Sequence, residues 1–416
     1  MRGLATVFVA MALAAGLPAA QAAAPGNAVP KLPASAKKFP VATAVRIGGD
    51  SHDTRFVMDF TKKVDVATFT LADPYRVVID MPQVVFTLPG DSGEHGHGLI
   101  KAFRYGLIME GGSRIVLDVT QPVKVDKAFA LAAADGQPAR LVLELTPTDR
   151  QSYLHIMEMQ NSATPEIPVQ ASAAPANAND KRPLIVLDPG HGGIDSGTKS
   201  YNGKVDEKNI VLAFGLRLRE LLEKTGRYRV AMTRSTDVFI PLEERVRFAR
   251  SHHAALFISI HADMLPRSEG RTSGATVYTV SKKASDAAAA RVAAAENKSD
   301  MLAGVDLSTQ PNDVASILFD LAQRETKIFS VQFAHDLVGS LTGVAPLHDP
   351  AIKSAAFVVL KDPDVPSVLV ELGYLSSPAD VKNLTSPAWR AHTAAALVKA
   401  INTYFAPRLA GVGKVP

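Results

Sequence analysis

His191, Glu207, His261 and Glu371 are the residues of this 416-residue chain whose settings could do chemistry together. His191 lies in Asp188-Pro189-Gly190-His191-Gly192-Gly193, directly after the apolar run Leu184 to Leu187. A buried strand ending in Gly-rich turns sets a side chain on a rigid edge with open backbone around it, a common place for a ligand. His261 closes a second such run, Leu256 to Ile260, and is followed by Ala262-Asp263. Glu207 opens a helix whose apolar positions Ile210, Phe214, Leu218 and Leu221/Leu222 follow 3.6-residue spacing. Glu371 ends a third apolar run, Val368-Leu369-Val370. Two His at parallel-strand ends and a carboxylate fit a His-Glu-His zinc site that keeps one position for water. A carboxylate facing that position can take the water's proton and relay it. Singly, each residue has an ordinary reading: a turn His, an acid favoured by the first helical turn, a salt-bridged acid at a strand end. Their combination points to a metal hydrolase.

Composition narrows the partners. The 45 Lys+Arg and 41 Asp+Glu give a net charge of +4, with no long basic block, so no nucleic acid is expected as a partner. The absence of Cys removes disulfides, thiolate zinc sites and Cys nucleophiles together, leaving His, Asp and Glu to hold any metal. With 47% hydrophobic and 21% charged residues the chain is not a disordered one. Its length suggests about two to three domains.

Met1-Arg2, an apolar stretch from Leu4 to Leu17 and an Ala-x-Ala exit read as a secretory signal peptide over residues 1–22, cut after Ala22. No later run reaches the length of a membrane span, so no transmembrane segment is expected in the mature chain, which works outside the cytoplasm. Residues 23–40 read as an Ala/Pro/Lys tether, 41–149 as a β-rich domain, and 150–181 as a linker. Residues 182–406 alternate strands and amphipathic helices, with 407–416 as a tail. The β-rich part is duplicated: Thr54 onward lines up with Ser113 onward, matching Arg55 to Arg114, Met58 to Leu117 and Asp59 to Asp118. Alternation puts Phe56, Met58 and Phe60, or Ile115, Leu117 and Val119, on one face. Two similar amphipathic sheets, one per copy, packed as a β-sandwich are the expected result. His95 and His97 read as a mobile polar turn rather than a metal pair, and His252-His253 likewise as a turn. His335 and His348 are expected to be structural or exposed.

The duplicated segment resembles the AMIN domain, which targets enzymes to the cell wall and division site. Asp188-Pro189-Gly190-His191-Gly192-Gly193, the Glu207-Lys208-Asn209 helix start, the stretches from Thr233 and Pro241, Leu256 to Asp263, and Pro366 to Pro378 resemble the zinc-dependent N-acetylmuramoyl-L-alanine amidases of bacterial cell-wall turnover. The likeness runs from about Leu184 to Phe405. It implies hydrolysis of the amide between N-acetylmuramic acid and L-alanine in peptidoglycan, with one Zn2+ held by His191, Glu207 and His261. It makes Glu371 the catalytic acid/base. It also implies a periplasmic protein, enriched at the division site and acting in daughter-cell separation. Ala255 and Ser377 depart from the usual Asp and Asn, away from every proposed ligand.

Between a strand expected at Thr276 to Thr279 and another at Phe357 to Leu360 lie too many residues for a plain connection. An Ala-rich helix is expected over Ser285 to Leu302, with Ala289, Val292/Ala293 and Glu296 on one face. A second, from about Asn312 to Leu341, is expected to pack Ile317, Leu321, Ile328, Val331 and Phe333 in the core. In amidases switched on by partners, an inserted helix here blocks the site and a Glu on it supplies a fourth zinc ligand. The resemblance therefore makes residues 281–340 a regulatory insert, Glu296 the inhibitory ligand with Asp300 as the alternative, and a LytM-type activator protein the partner. The expected fold is an α/β catalytic domain, a mixed sheet flanked by helices, plus an all-β sandwich. Two competing readings remain: another zinc hydrolase of wall peptides, such as a carboxypeptidase or deacetylase, or a non-catalytic peptidoglycan-binding protein.

Overall fold

The computed structural model describes residues 38–89, 91–109, 111–161, 180–265, 273–304 and 317–409. The expected signal segment, residues 23–37 of the tether, 162–179 of the linker and 410–416 of the tail lie outside the described residues. Among the described residues no helix is long and apolar enough to cross a membrane.

The β-rich part contains β1 (Val41–Gly49), β2 (Thr54–Phe60), β3 (Ala67–Leu71), β4 (Arg76–Pro82), β5 (Val85–Phe86), β6 (Ile100–Met109), β7 (Gly112–Val119), β8 (Val123–Leu131) and β9 (Ala139–Pro147). They form two sheets, ordered β5-β1-β2-β9-β8 and β3-β4-β7-β6. Phe56, Met58 and Phe60 from one sheet and Ile115, Leu117 and Ile79 from the other fill the space between them, all fully buried. The sandwich is as expected, but the copies are not one to a sheet. Each copy makes two hairpins and gives one to each sheet, so β2 of the first copy pairs with β9 of the second, and β4 with β7. Alternation fixes which face of a strand turns inward; it is silent on which hairpin lies beside which. The exchange puts β2, β9, β4 and β7, whose residues are mostly buried, at sheet centres, paired on both sides.

The expected linker starts late. Residues Arg150–Asn161 form α1, whose first turn is capped where Ser152 N donates to Asp149 Oδ1 at 2.9 Å. Tyr153 is fully buried against the sandwich. Its hydroxyl contacts Leu71 O (3.0 Å) and Arg76 O (2.8 Å) and accepts from Arg76 N at 3.2 Å. The Pro/Ala-rich sequence that follows disguised a helix tied to the domain by Tyr153, by Arg150, which donates to Tyr75 Oη at 2.6 Å, and by Gln160 Oε1, which accepts from Thr70 N at 2.9 Å.

The second part runs β10 (Leu184–Pro189), α2 (Glu207–Lys224), β11 (Arg229–Met232), α3 (Leu242–Ser251), β12 (Leu256–His261), β13 (Ala275–Val280), α4 (Ala287–Glu296), α5 (Ser299–Leu302), α6 (Ile317–Leu341), β14 (Leu347–Ala355), β15 (Ser367–Glu371), α7 (Pro378–Leu384) and α8 (Pro387–Leu409). Its sheet has the order β11-β10-β12-β15-β13-β14. The first four of these are parallel, and β13 runs antiparallel to β15. Apolar residues of α2, α6 and α8, among them Phe214, Leu218, Phe333, Leu337, Leu397 and Ile401, cover one face. On the other face lie Phe248 of α3, Val292 and Ala293 of α4, and Phe357.

Three local expectations change. Phe357 to Leu360 is not a strand; Val358–Leu360 is a 3-10 turn whose apolar side chains pack under the sheet, and the strand is β14, an edge strand containing Pro350 and His348 that lacks an apolar signature. The Ala-rich helix breaks at Asn297 and Lys298 into α4 and α5. In α6, Ile328 is 67% exposed rather than in the core, while Phe333, Ala334 and Leu337 point inward; residues 312–316 lie outside the described residues. Ser377, a departure from the family pattern, caps α7 by accepting from Asp380 N.

Replacing Tyr153 by Phe leaves the ring packed but strips the buried groups of Leu71 and Arg76 of their partner. The expected cost is about 1–3 kcal/mol, read as a lower urea midpoint for the sandwich transition of the full chain; an unchanged midpoint would mean that the Tyr153 hydroxyl contributes nothing to that domain.

Candidate metal centre

Parallel strands bring the site together at their C-terminal ends. β10 delivers the loop to His191, and β12 and β15 end level with each other, His261 opposite Glu371 in register. Side chains of directly paired residues lie on the same side of a sheet, so His261 and Glu371 face the same cleft. Glu207 is the first residue of α2, and Glu296 the last of α4.

The loop that presents His191 is held open by two guanidinium groups. Arg245 Nη2 donates to His191 O at 2.8 Å and its Nη1 to Asp188 Oδ1 at 2.8 Å, while Arg234 Nη2 donates to Gly190 O at 2.7 Å. His191 takes a φ of 57°, a conformation costly for a non-glycine residue, which these bonds overdetermine. Gly190 is required on space: a Cβ there would sit 2.2 Å from the His261 ring. His191 Nδ1 pairs with Asp195 Oδ2 at 2.8 Å, which turns Nε2 inward. Glu207 spends one oxygen on Thr198, whose N and Oγ1 both donate at 3.0 Å, and Oε1 accepts from Ala262 N at 2.8 Å.

Four donor atoms then converge. His191 Nε2 lies 3.2 Å from Glu207 Oε1 and 3.5 Å from Glu296 Oε2; His261 Nδ1 lies 3.3 Å from Glu207 Oε1 and 3.1 Å from Glu296 Oε2. His191 Nε2 and His261 Nδ1 are buried with no hydrogen-bond partner. A tetrahedron with bonds of about 2.0–2.1 Å has edges of about 3.3–3.4 Å, so these spacings fit one small divalent ion. Two carboxylates with two neutral imidazoles also supply the matching charge. Among the described residues this is the one His/Asp/Glu group so disposed.

The electrostatics agree. Burial would lower the pKa of His261, but Glu296 and Glu207 push it up to about 10. His191 goes well above its ordinary value because Asp195, Glu207 and Glu296 outweigh the same burial penalty. The carboxylates demand positive charge at this point, and protons or a metal can provide it. Glu371 is fully buried, and burial, reinforced by Asp263, Glu207 and Glu296, drives its pKa well above that of an ordinary carboxylate. Its Oε2 accepts from Asp263 N at 2.9 Å, while Oε1 has no partner.

Asp300 is not in this group; its Oδ1 accepts from Leu242 N at 2.9 Å. His95 is exposed, and His97 Nε2 contacts Gly49 O at 2.7 Å in a surface turn. His252 reaches back to Phe248 O at 2.8 Å, ending α3. Sequence reasoning assigned no role to Asp195, Arg245 or Asp188. Asp195 had a signal, lying four residues after His191; Arg245 and Asp188 had only their places in the motifs.

The family model for N-acetylmuramoyl-L-alanine amidases (Amidase_3) matches residues 185–403, and that for the AMIN domain matches 44–145. The N-acetylmuramoyl-L-alanine amidase AmiC of Escherichia coli O6:H1 is 35% identical over 87% of this chain and 89% of its own length. AmiC of Neisseria meningitidis is 33% identical over 88% and 90%. The chain belongs to the N-acetylmuramoyl-L-alanine amidase family. A third relative, AmiA of Escherichia coli K12, is 39% identical over 53% of this chain, covering 76% of its own length. All four residues of the cluster lie in the part matched by the amidase model; the AMIN part contributes none of them.

Asp195→Asn keeps the shape of the loop but weakens the orientation of His191. Zinc affinity, measured by competition with a chromophoric chelator, is expected to fall about 10–100-fold; no change would show that Nε2 does not depend on Asp195.

Proposed function

We propose that the protein is a zinc-dependent amidase that cleaves the bond between N-acetylmuramic acid and L-alanine in peptidoglycan and is held inactive by α4. His191, Glu207 and His261 hold the ion, and Glu296 occupies the fourth position in the resting state. When bound, zinc supplies Lewis-acid polarisation of the amide carbonyl and a more acidic attacking water. Glu371, one oxygen fixed by Asp263 N–H and the other free, accepts the proton of that water and returns it to the departing L-alanine nitrogen. The products are a lactyl carboxylate and a free amine.

The observation that carries the resting-state reading is burial. His191, His261, Glu207, Glu296 and Glu371 are each less than a tenth exposed, with α4 packed over them. A glycan strand with its stem peptide cannot reach a carbonyl to such a site, so α4 must leave before hydrolysis. Small side chains, Ala289, Val292 and Ala293, seat it, and a seat this small costs little to vacate. A partner in the envelope, such as a LytM-type activator, would bind the open form and shift the population toward it. Export through the expected signal peptide places the enzyme in the periplasm, and the AMIN domain would direct it to the division site for daughter-cell separation.

The test uses the full chain lacking residues 1–22, loaded with zinc and incubated with purified peptidoglycan, the products being read by mass spectrometry. Glu296→Ala is expected to release stem peptides with a free L-alanine amine without any partner, while the unaltered protein releases little. Adding Glu371→Gln to that variant should cut the rate about 10²–10⁴-fold. Release of a terminal amino acid or of acetate would instead identify a carboxypeptidase or a deacetylase. If no variant releases anything and all bind wall, the protein is a binder.

A further inference from the structure

The exchanged hairpins give the β3-β4-β7-β6 sheet an outer face that bears three arginines, and α5 ends on it. Arg76 donates through Nη1 to Met301 O. Arg104 Nε donates to Leu302 O at 2.9 Å. Arg114 Nη1 donates to Ala303 O at 3.3 Å and to Gly304 O at 2.9 Å. These four consecutive carbonyls lie at and just beyond the C-terminal end of α5, where carbonyls point away from the helix; Met301 O also accepts from Gly304 N at 3.1 Å. Two of the guanidinium groups are pre-aimed by bidentate carboxylates, Arg104 by Asp118 (2.6 and 3.0 Å) and Arg114 by Asp80 (2.6 and 2.8 Å).

Apolar packing coincides with the polar contact. Ala303 is fully buried in a cluster with Leu71, Val78 and Val116 from the sandwich and Ile194 and Phe239 from the amidase part. Gly304, at φ +72°, lies so close that an added Cβ would be 3.0 Å from Val116 Cγ2. Leu107 O accepts from Ile194 N at 3.1 Å beside it, joining the two domains directly. At the other end of the same short segment, Asn297 ties α4 to the amidase part, accepting from Val358 N at 2.8 Å and donating to Ala356 O at 2.9 Å.

We propose that the outer face of this sheet is the docking surface for residues 301–304, so that the sandwich domain, and not the metal alone, keeps the blocking helix seated. The occupant is a segment of this chain, and the complementarity is that of cationic side chains to helix-terminal carbonyls. The duplication provides the comparison. On the other sheet the counterparts pair the same way, Arg46 with Asp59 and Arg55 with Glu144, yet stand open, their arginine side chains 56% and 58% exposed. A helix end is gripped by one of two similar faces. The grip lies more than a turn beyond Glu296, so it restrains the helix without touching the metal cluster. Anything that parts the two domains loosens the helix.

The proposal rests on the blocking role of α4 for its effect on activity, but not for the contact itself, and the experiment separates the two. In the full zinc-loaded chain, hydrogen exchange of peptides within 287–304 is measured for Arg104→Gln/Arg114→Gln and for Arg46→Gln/Arg55→Gln. Exchange should quicken in the first and stay as in the unaltered protein in the second. Basal peptidoglycan hydrolysis should rise about tenfold in the first, equivalent to about 1.4 kcal/mol, while the same arginine changes should add little to a Glu296→Ala chain whose helix has already left. Ala303→Lys, which sets a cation against the arginines and leaves both cores intact, should reproduce the faster exchange if the double variant folds poorly. Unchanged exchange in both variants overturns the docking surface, even where Glu296→Ala activates. Faster exchange with no activation by any variant, Glu296→Ala included, retains the docking surface and overturns the blocking role instead.

Discussion

Everything in the amidase part answers to the mutual repulsion of buried carboxylates. Glu207, Glu296, Glu371, Asp195 and Asp263 are all buried around two imidazoles, a concentration of negative charge that is stable only if a cation shares the space. Glu207 and Asp195 stay ionised because the histidines and backbone N–H groups outweigh the burial penalty. Glu371 is pushed well above the ordinary carboxylate range by burial and by Asp263, Glu207 and Glu296, so the departure of Glu296 on the proposed reading brings it back toward the ionised form that takes up a proton. The sheet holds His261 and Glu371 at the ends of adjoining strands, while α2 and α4 bring Glu207 and Glu296 against them, so that none can relax away.

That constraint explains which parts were legible in the sequence. A charged or ionisable residue at the end of an apolar run is anomalous, and His191, His261 and Glu371 stood out for that reason; the structure brings all three to one sheet edge. Glu207 was less distinct because an acid in a first helical turn is ordinary. Asp195 was signalled only by its place four residues after His191, and Arg245 not at all, because its role lies in which carbonyl it turns toward, a matter of loop geometry that no spacing encodes. The strand misplaced to Phe357 shows the converse error: apolar content was read as extended structure, while the true edge strand, with Asp349, Pro350 and Lys353, carries no apolar signature.

In the sandwich, alternation gave the buried faces of the two matched runs, Phe56 to Phe60 and Ile115 to Val119, and the duplication pointed to two packed sheets. Neither contained the exchange of hairpins between sheets, which depends on which strands gain most from two neighbours. The exchange matters for function. It places Arg76 from the first copy beside Arg104 and Arg114 from the second on one face, and that face meets the end of the blocking helix. The two domains are therefore joined at the segment whose movement, on the proposed reading, opens the site. The AMIN domain and the amidase domain, which read as separate modules in sequence, share a contact in space.

The central claim is that one ion is bound by His191, Glu207, His261 and Glu296 together while the helix is seated. The most direct measurement is a crystal structure of the zinc-loaded full chain with anomalous data collected on both sides of the zinc edge. The account predicts a single peak at bonding distance from His191 Nε2, Glu207 Oε1, His261 Nδ1 and Glu296 Oε2, with the blocking helix in place. A peak ligated by the first three residues with Glu296 turned away, or a peak elsewhere in the chain, would contradict it.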